Sequence, residues 1–112
     1  MGRLTYIPDQ GDIVFLNFSP TAGHEQKGMR PAMVISPKMF NQVTGLAFLC
    51  PIASQIKGYP FEVVLENTQV VGAVLVDRMR SVDFHARQIE YRERAHDDIL
   101  EIVLGKLKTI IF

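Results

Sequence analysis

Apolar and polar positions alternate over short distances through most of this chain and change period only near its C-terminus. GDIVFLNF (11–18) is rich in β-branched and aromatic residues and is entered through a glycine, which predicts a strand. AMVIS (32–36) reads as a short strand stopped by Pro37, and PKMFNQVTG as one helical turn before a turn at Gly45. LAFLCPI (46–52) reads as a core strand, FEVVL (61–65) as a half-buried one, and VVGAVLVD (70–77) as strongly buried. RSVDFHARQIEYR (80–92) alternates charged and apolar residues like an exposed-face strand or strand pair. Short strands at this spacing predict a small barrel or sandwich rather than βαβ units.

The last segment has a different period. Ile99, Val103, Leu107 and Ile110, with Leu100 and Ile111 alongside, form one face of an amphipathic helix. Asp97 and Asp98 in its first turn, and Lys106 and Lys108 near its end, complement the helix dipole. Gly105 weakens the helix by roughly 1 kcal/mol relative to Ala, so the apolar stripe must hold it in place. Two polar stretches interrupt the pattern. SPTAGHEQKGMRP (19–31) is longer than a structural connection needs, and ASQIKGYP (53–60) forms a second loop.

Composition narrows the class. A chain of 112 residues, 47% apolar and 21% charged, is expected to fold as one domain (1–112) with a small core, and disorder is not expected. The longest apolar run, LAFLCPIA (46–53), is too short to span a bilayer. The N-terminal MGRLTYIPDQGD lacks the apolar stretch of a secretory signal, so a cytoplasmic location is expected. The lone Cys50 cannot form an internal disulfide and is expected to be a buried thiol. Twelve basic and twelve acidic residues leave no net field to attract nucleic acid, so such a partner needs a local basic patch. Arg78, Arg80, Arg87, Arg92 and Arg94 cluster late in the chain, but Asp77, Asp83, Glu90 and Glu93 are threaded among them, as on solvated strand faces.

The candidate chemistry is metal-free. One Cys and three scattered His (His24, His85, His96) offer no ligand spacing, and phosphate-cradling glycine motifs are missing, so neither metal nor cofactor is expected. Arg30, ahead of Pro31, is placed to present a forked cation to a phosphate. His24 and Glu25 lie close by for proton exchange, and Ser54 and Lys57 occupy the second loop. Metal-free RNA cleavage needs little more. The 2′-hydroxyl is the nucleophile, so the protein must take its proton, neutralise the crowded phosphorane oxygens and protonate the leaving 5′-oxygen. The same residues also read as a surface cation, a solvated loop and a turn hydroxyl. Tyr59, Phe61 and Phe18 offer flat faces for bases; Tyr59, between Gly58 and Pro60, is the best candidate for exposure, while core packing competes for the two Phe.

YIPDQGDIVFLNFSPTAGHEQKGMRPAMVIS, FNQVTG, CPIASQIKGYPFEVVL and GAVLVDRMRSVDFHAR, followed by a final helix, together resemble the MazF/PemK toxins of bacterial toxin–antitoxin pairs. The resemblance runs from about residue 6 to the C-terminus. It implies a mainly β fold with a C-terminal helix, a small SH3-like β-barrel, and a homodimer. It also implies metal-independent, sequence-specific cleavage of single-stranded RNA to a 2′,3′-cyclic phosphate and a 5′-hydroxyl, and an acidic antitoxin of MazE type that folds across the groove. By position, Arg30 falls on the family's catalytic arginine and Glu25 on its acidic loop residue. Lys57, Arg80 and Arg87 match groove cations, and Phe18, Gln55 and Asp77 match positions near the bases or the active site in some members.

One position departs. The family's P-x-T-[ST] pattern has Ala53 at its catalytic threonine, followed by Ser54. Loss of one hydrogen-bond donor that meets developing charge costs on the order of a hundredfold in rate. Three readings remain open: Ser54 substitutes after a small shift, the chain is a naturally weakened member, or Ala53 is an inactivating substitution that lets RNA be held uncleaved. A different function class is a non-catalytic, protein-binding toxin on the same fold, of the gyrase-poisoning CcdB type.

Overall fold

β3 (Leu46–Ala53) is the strand on which the rest of the molecule is assembled. Its first half pairs with β6 (Arg80–Asp83), its middle with β2 (Met29–Val34) and its last two residues with β5 (Ala73–Leu75). Its side chains enter the core on both faces, Cys50 and Ile52 on one and Ala47 and Leu49 on the other, which explains its nearly unbroken apolar sequence. The computed structural model describes residues 5–18 and 28–112. Its remaining elements are β1 (Asp12–Asn17), α1 (Lys38–Thr44), β4 (Glu62–Val64), β7 (Glu90–Arg94) and α2 (Asp97–Ile111), with one 3-10 turn at Val76–Arg78. The sheet order is β4-β5-β3-β2-β1-β7, with β6 branching from β3.

The fold is therefore mainly β with a C-terminal helix. Among the described residues the path is open, since its end strands β4 and β7 share no ladder; the pairing gives a branched open sheet rather than the expected closed barrel.

Side-chain alternation sorts the core into two clusters. Ile13, Met33, Cys50, Ile52 and Val74 join the helix residues Ile99, Leu100 and Val103 on one side. Val14, Leu16, Ala32, Val34, Ala47, Leu49, Val82 and Phe84 fill the other. At α2 the apolar stripe is only partly used. Its packing ends near Leu107, and Ile110 and Ile111 project beyond the core, 43% and 53% exposed.

Other boundaries shift for local reasons. β2 begins at Met29, so Arg30 and Pro31 lie within a strand rather than at the end of a loop. α1 extends to seven residues and is closed by Gly45 in the left-handed region (φ 75°), whose amide bonds Asn41 O at 2.9 Å. The 70–77 segment is less uniformly buried than expected: Val71 is exposed, and the strand covers only Ala73–Leu75. Gly72 beside it is sterically required, because a Cβ there would stand 2.2 Å from the carbonyl oxygen of Ala53. The 80–92 segment holds two strands that pair with different neighbours, β6 with β3 and β7 with β1; Asp83 accepts the amides of His85 and Ala86, both at 3.1 Å, to start the turn between them.

Candidate active site

β1 and β3 finish, and β2 begins, at the same end of the sheet. The ladders set Leu16 opposite Arg30 and end, between β2 and β3, at Ala32 opposite Pro51; that second register, continued two residues outward, points Arg30 toward Ala53, and both line the same cleft. Period-two alternation continues the face of Val14, Leu16, Ala32 and Leu49 into Phe18, Arg30 and Ala53. Beyond that end lies an open cleft of about 1110 Å³. It brings together most of the residues singled out in the sequence: Phe18, Arg30, Ala53, Ser54, Gln55, Lys57, Tyr59 and Asp77.

The cleft's second wall is the segment between β3 and β4. Three side chains tie it down. Glu62 Oε1 accepts the amides of Lys57 and Gly58 at 2.9 and 2.7 Å. Tyr59 donates its hydroxyl to Asp77 Oδ2 at 2.7 Å, and Lys106 Nζ donates to the Pro60 carbonyl at 2.6 Å. The hydrogen bond to Asp77 raises the Tyr59 phenol above its ordinary value. Arg30 and Lys57 are both exposed, and among the described residues no carboxylate lies within ion-pair distance of either. The cleft thus presents Arg30 and Lys57 without an ion-pair partner among the described residues, beside the bonded Tyr59–Asp77 pair and the Phe18 ring.

A family model for PemK-like, MazF-like toxins of type II toxin–antitoxin systems matches residues 9–111. The chain belongs to this family. It is 40% identical over 106 residues to the endoribonuclease toxin MazF of Escherichia coli K12, covering 95% of this chain and 96% of that protein. It is 34% identical to the Escherichia coli endoribonuclease PemK, covering 92% and 81% of the two chains. Among solved structures, MazF from Deinococcus radiodurans superposes with a TM-score of 0.85 at 50% identity, covering 96% and 98% of the two chains. The MazE–MazF complex from the same organism also gives a TM-score of 0.85, at 44% identity, covering 96% and 97%.

In this MazF-like chain two expected groove cations stand apart from the cleft lining. Arg80 is exposed and lies over the Phe18 ring, its guanidinium carbon 5.1 Å from the ring centre. Arg87 Nη1 donates to the carbonyls of Phe18 and Asn17 at 2.9 and 3.4 Å, so one terminal nitrogen of its fork holds the end of β1. His24 and Glu25 lie outside the described residues. Cys50 is buried, and burial pushes its thiol up to about 12, which makes it inert. No cluster of three or more metal-ligating side chains occurs among the described residues, and no helix among them is long and apolar enough to cross a membrane.

Sequence reasoning missed Arg78, Val71 and Glu62 as cleft residues. Arg78 was hidden in a run of interleaved charges that resembled a solvated face. Glu62 gave no sequence signal; in the structure its carboxylate is 8% exposed and therefore needs buried donors.

Proposed function

We propose that this chain is an mRNA-interferase toxin, an endoribonuclease that cuts single-stranded RNA in a sequence-specific manner. The observation that carries the reading is that Arg30 and the segment after β3 line one cleft. The substrate's own 2′-hydroxyl is the nucleophile, so no metal has to generate one. Its oxygen bonds to phosphorus as the bond to the 5′-oxygen breaks, leaving a 2′,3′-cyclic phosphate and a 5′-hydroxyl.

Arg30 meets the charge that grows on the phosphorane oxygens, the interaction worth most in a site of this kind. Ser54, next along the chain and also in the cleft lining, is the hydroxyl offered in place of the one Ala53 lacks. Glu25, with its sequence neighbour His24, takes the 2′-proton, and the leaving 5′-oxygen takes one up from Arg30 or water as its bond to phosphorus breaks. Lys57 and Arg78 hold neighbouring phosphates, with Arg80 and Arg87 further out along the groove; Phe18 and Tyr59 stack bases, and Gln55 and Asp77 read their edges. The chain works as a homodimer in the cytoplasm, on an SH3-like barrel with α2 packed into one of its two core clusters. Its second partner is a MazE-type antitoxin, a reading supported by the MazE–MazF complex that this chain resembles. Such a partner competes for the same cations as RNA.

With Ala53 the site keeps its cation and loses a donor, so cleavage is slow. An RNA pool incubated in chelator with this chain and with Ala53→Thr tests the reading. The threonine variant is expected to cut at least ~100-fold faster, leaving cyclic phosphate ends. RNA that neither chain binds nor cuts would overturn it.

A further inference from the structure

We propose that Glu62 is a positioning residue for RNA: its buried carboxylate shapes the cleft wall and so places Lys57 on the phosphate backbone. The inference rests on the RNA-binding reading above and adds to it a residue that touches no ligand.

Residues 54–61 contain no helix or strand, so their shape depends on anchors. Two of the three anchors are exposed and compete with water: the Tyr59 hydroxyl on Asp77, and Lys106 on the Pro60 carbonyl. Glu62 differs in being buried and in holding two consecutive amides on one oxygen, Lys57 at 2.9 Å and Gly58 at 2.7 Å. Its own amide bonds the Tyr59 carbonyl at 3.1 Å, which closes the turn from the other side. Consecutive amides leading into a left-handed residue form an anion-binding concavity, and Gly58 has φ 76°. Here the protein's own carboxylate fills that concavity. With both amides turned inward onto Glu62, residue 57 cannot rotate freely, and its side chain stays with the cleft lining. Arg30 is independent of this device because its place is fixed by the β1–β2 ladder. Loss of Glu62 should therefore weaken RNA binding while sparing the strand-borne cation.

The test compares binding of one single-stranded RNA oligonucleotide across salt concentrations, well below each variant's melting temperature. Glu62→Leu should bind about tenfold more weakly, with a log–log salt slope smaller by about 0.7, the equivalent of one phosphate contact. Glu62→Gln keeps an oxygen acceptor for both amides and should restore binding to within about threefold. Adding Lys57→Ala to Glu62→Leu should weaken binding no further, because both changes remove the same contact. Gly58→Ala reaches the same turn without threatening the core, since its Cβ would meet nothing within 4 Å, and it should reproduce the lost slope; it decides the matter if Glu62→Leu does not fold. A merely structural Glu62 would lower the melting temperature and leave the slope unchanged. A folded Glu62→Leu or Gly58→Ala protein with the wild-type slope overturns the inference alone. A wild-type chain that binds no RNA overturns the RNA reading and this inference together.

Discussion

The two ends of β1 use charge in opposite ways. At its start, Asp12 is 5% exposed and fully engaged: it accepts the Tyr6 hydroxyl, the Asp9 amide at 3.0 Å and Arg94 Nη1 at 3.4 Å. Asp9 adds a second carboxylate oxygen 4.0 Å from the same guanidinium and accepts the Lys38 amide at 3.2 Å. Past its other end, Arg30 and Lys57 face an open cleft without carboxylates in ion-pair reach among the described residues. Groups that hold a fold together satisfy one another, whereas groups meant for a ligand are left unsatisfied and rely on their neighbours for position. Arg30 and Arg94 are indistinguishable by composition, and only their surroundings assign one to chemistry and the other to stability.

The largest expected effect lies at the cleft. In an Ala53→Thr background, Arg30→Ala should lower the rate of RNA cleavage by ~1000-fold or more while moving the melting temperature by less than about 2 °C. A large loss of stability with retained cleavage would reverse the roles assigned to the two ends. Next comes Asp12→Ala, which strands the Tyr6 hydroxyl and the Asp9 amide at a cost of about 3 kcal/mol. Denaturant unfolding should report that loss, and RNA affinity measured in the folded range should be unchanged. Tyr6→Phe removes one member of the same network and should cost about 1 kcal/mol.

The smallest effect is a titration. Burial first, and then Asp12, raise the Tyr6 phenol far above its ordinary range. An unfolded phenol ionises near pH ~10, so the protonated Tyr6 contributes stability below that pH and the contribution is lost as pH rises beyond it. Absorbance at alkaline pH should show Tyr6 ionising only as the protein unfolds. Tyr59, raised by one exposed hydrogen bond, should ionise earlier in the native state. Simultaneous ionisation of both would erase the contrast between a locked and an open end.

The same contrast governs what the sequence could reveal. β1, β3 and the start of α2 were legible because their periodicity reports burial directly, as in Ile13, Val14 and Leu16 or in Ile99 and Val103. Arg30, Ser54, Lys57 and Tyr59 could be named as candidates because polar and aromatic residues in loops have few structural uses. Their convergence came from the family resemblance and not from local pattern, since it depends on the pairing of β2 with β3, a long-range register that local pattern does not encode. The early start of β2 was masked by Arg30 and Pro31, which look like loop residues and are accepted because the ladder to β1 extends that far. The open sheet was hidden for a related reason: closure is a relation between β4 and β7, and neither strand's own residues specify it. Glu62 was passed over because its partners are backbone amides, which no side-chain pattern displays.

The most direct measurement is the structure of this chain with a short single-stranded RNA bound and uncleaved. The scissile phosphate should sit within hydrogen-bond reach of the Arg30 guanidinium, beside Ala53, with the flanking phosphate toward Lys57. An RNA that follows Arg92 and Arg94 along β7 instead, leaving the cleft beside Arg30 empty, would contradict the account.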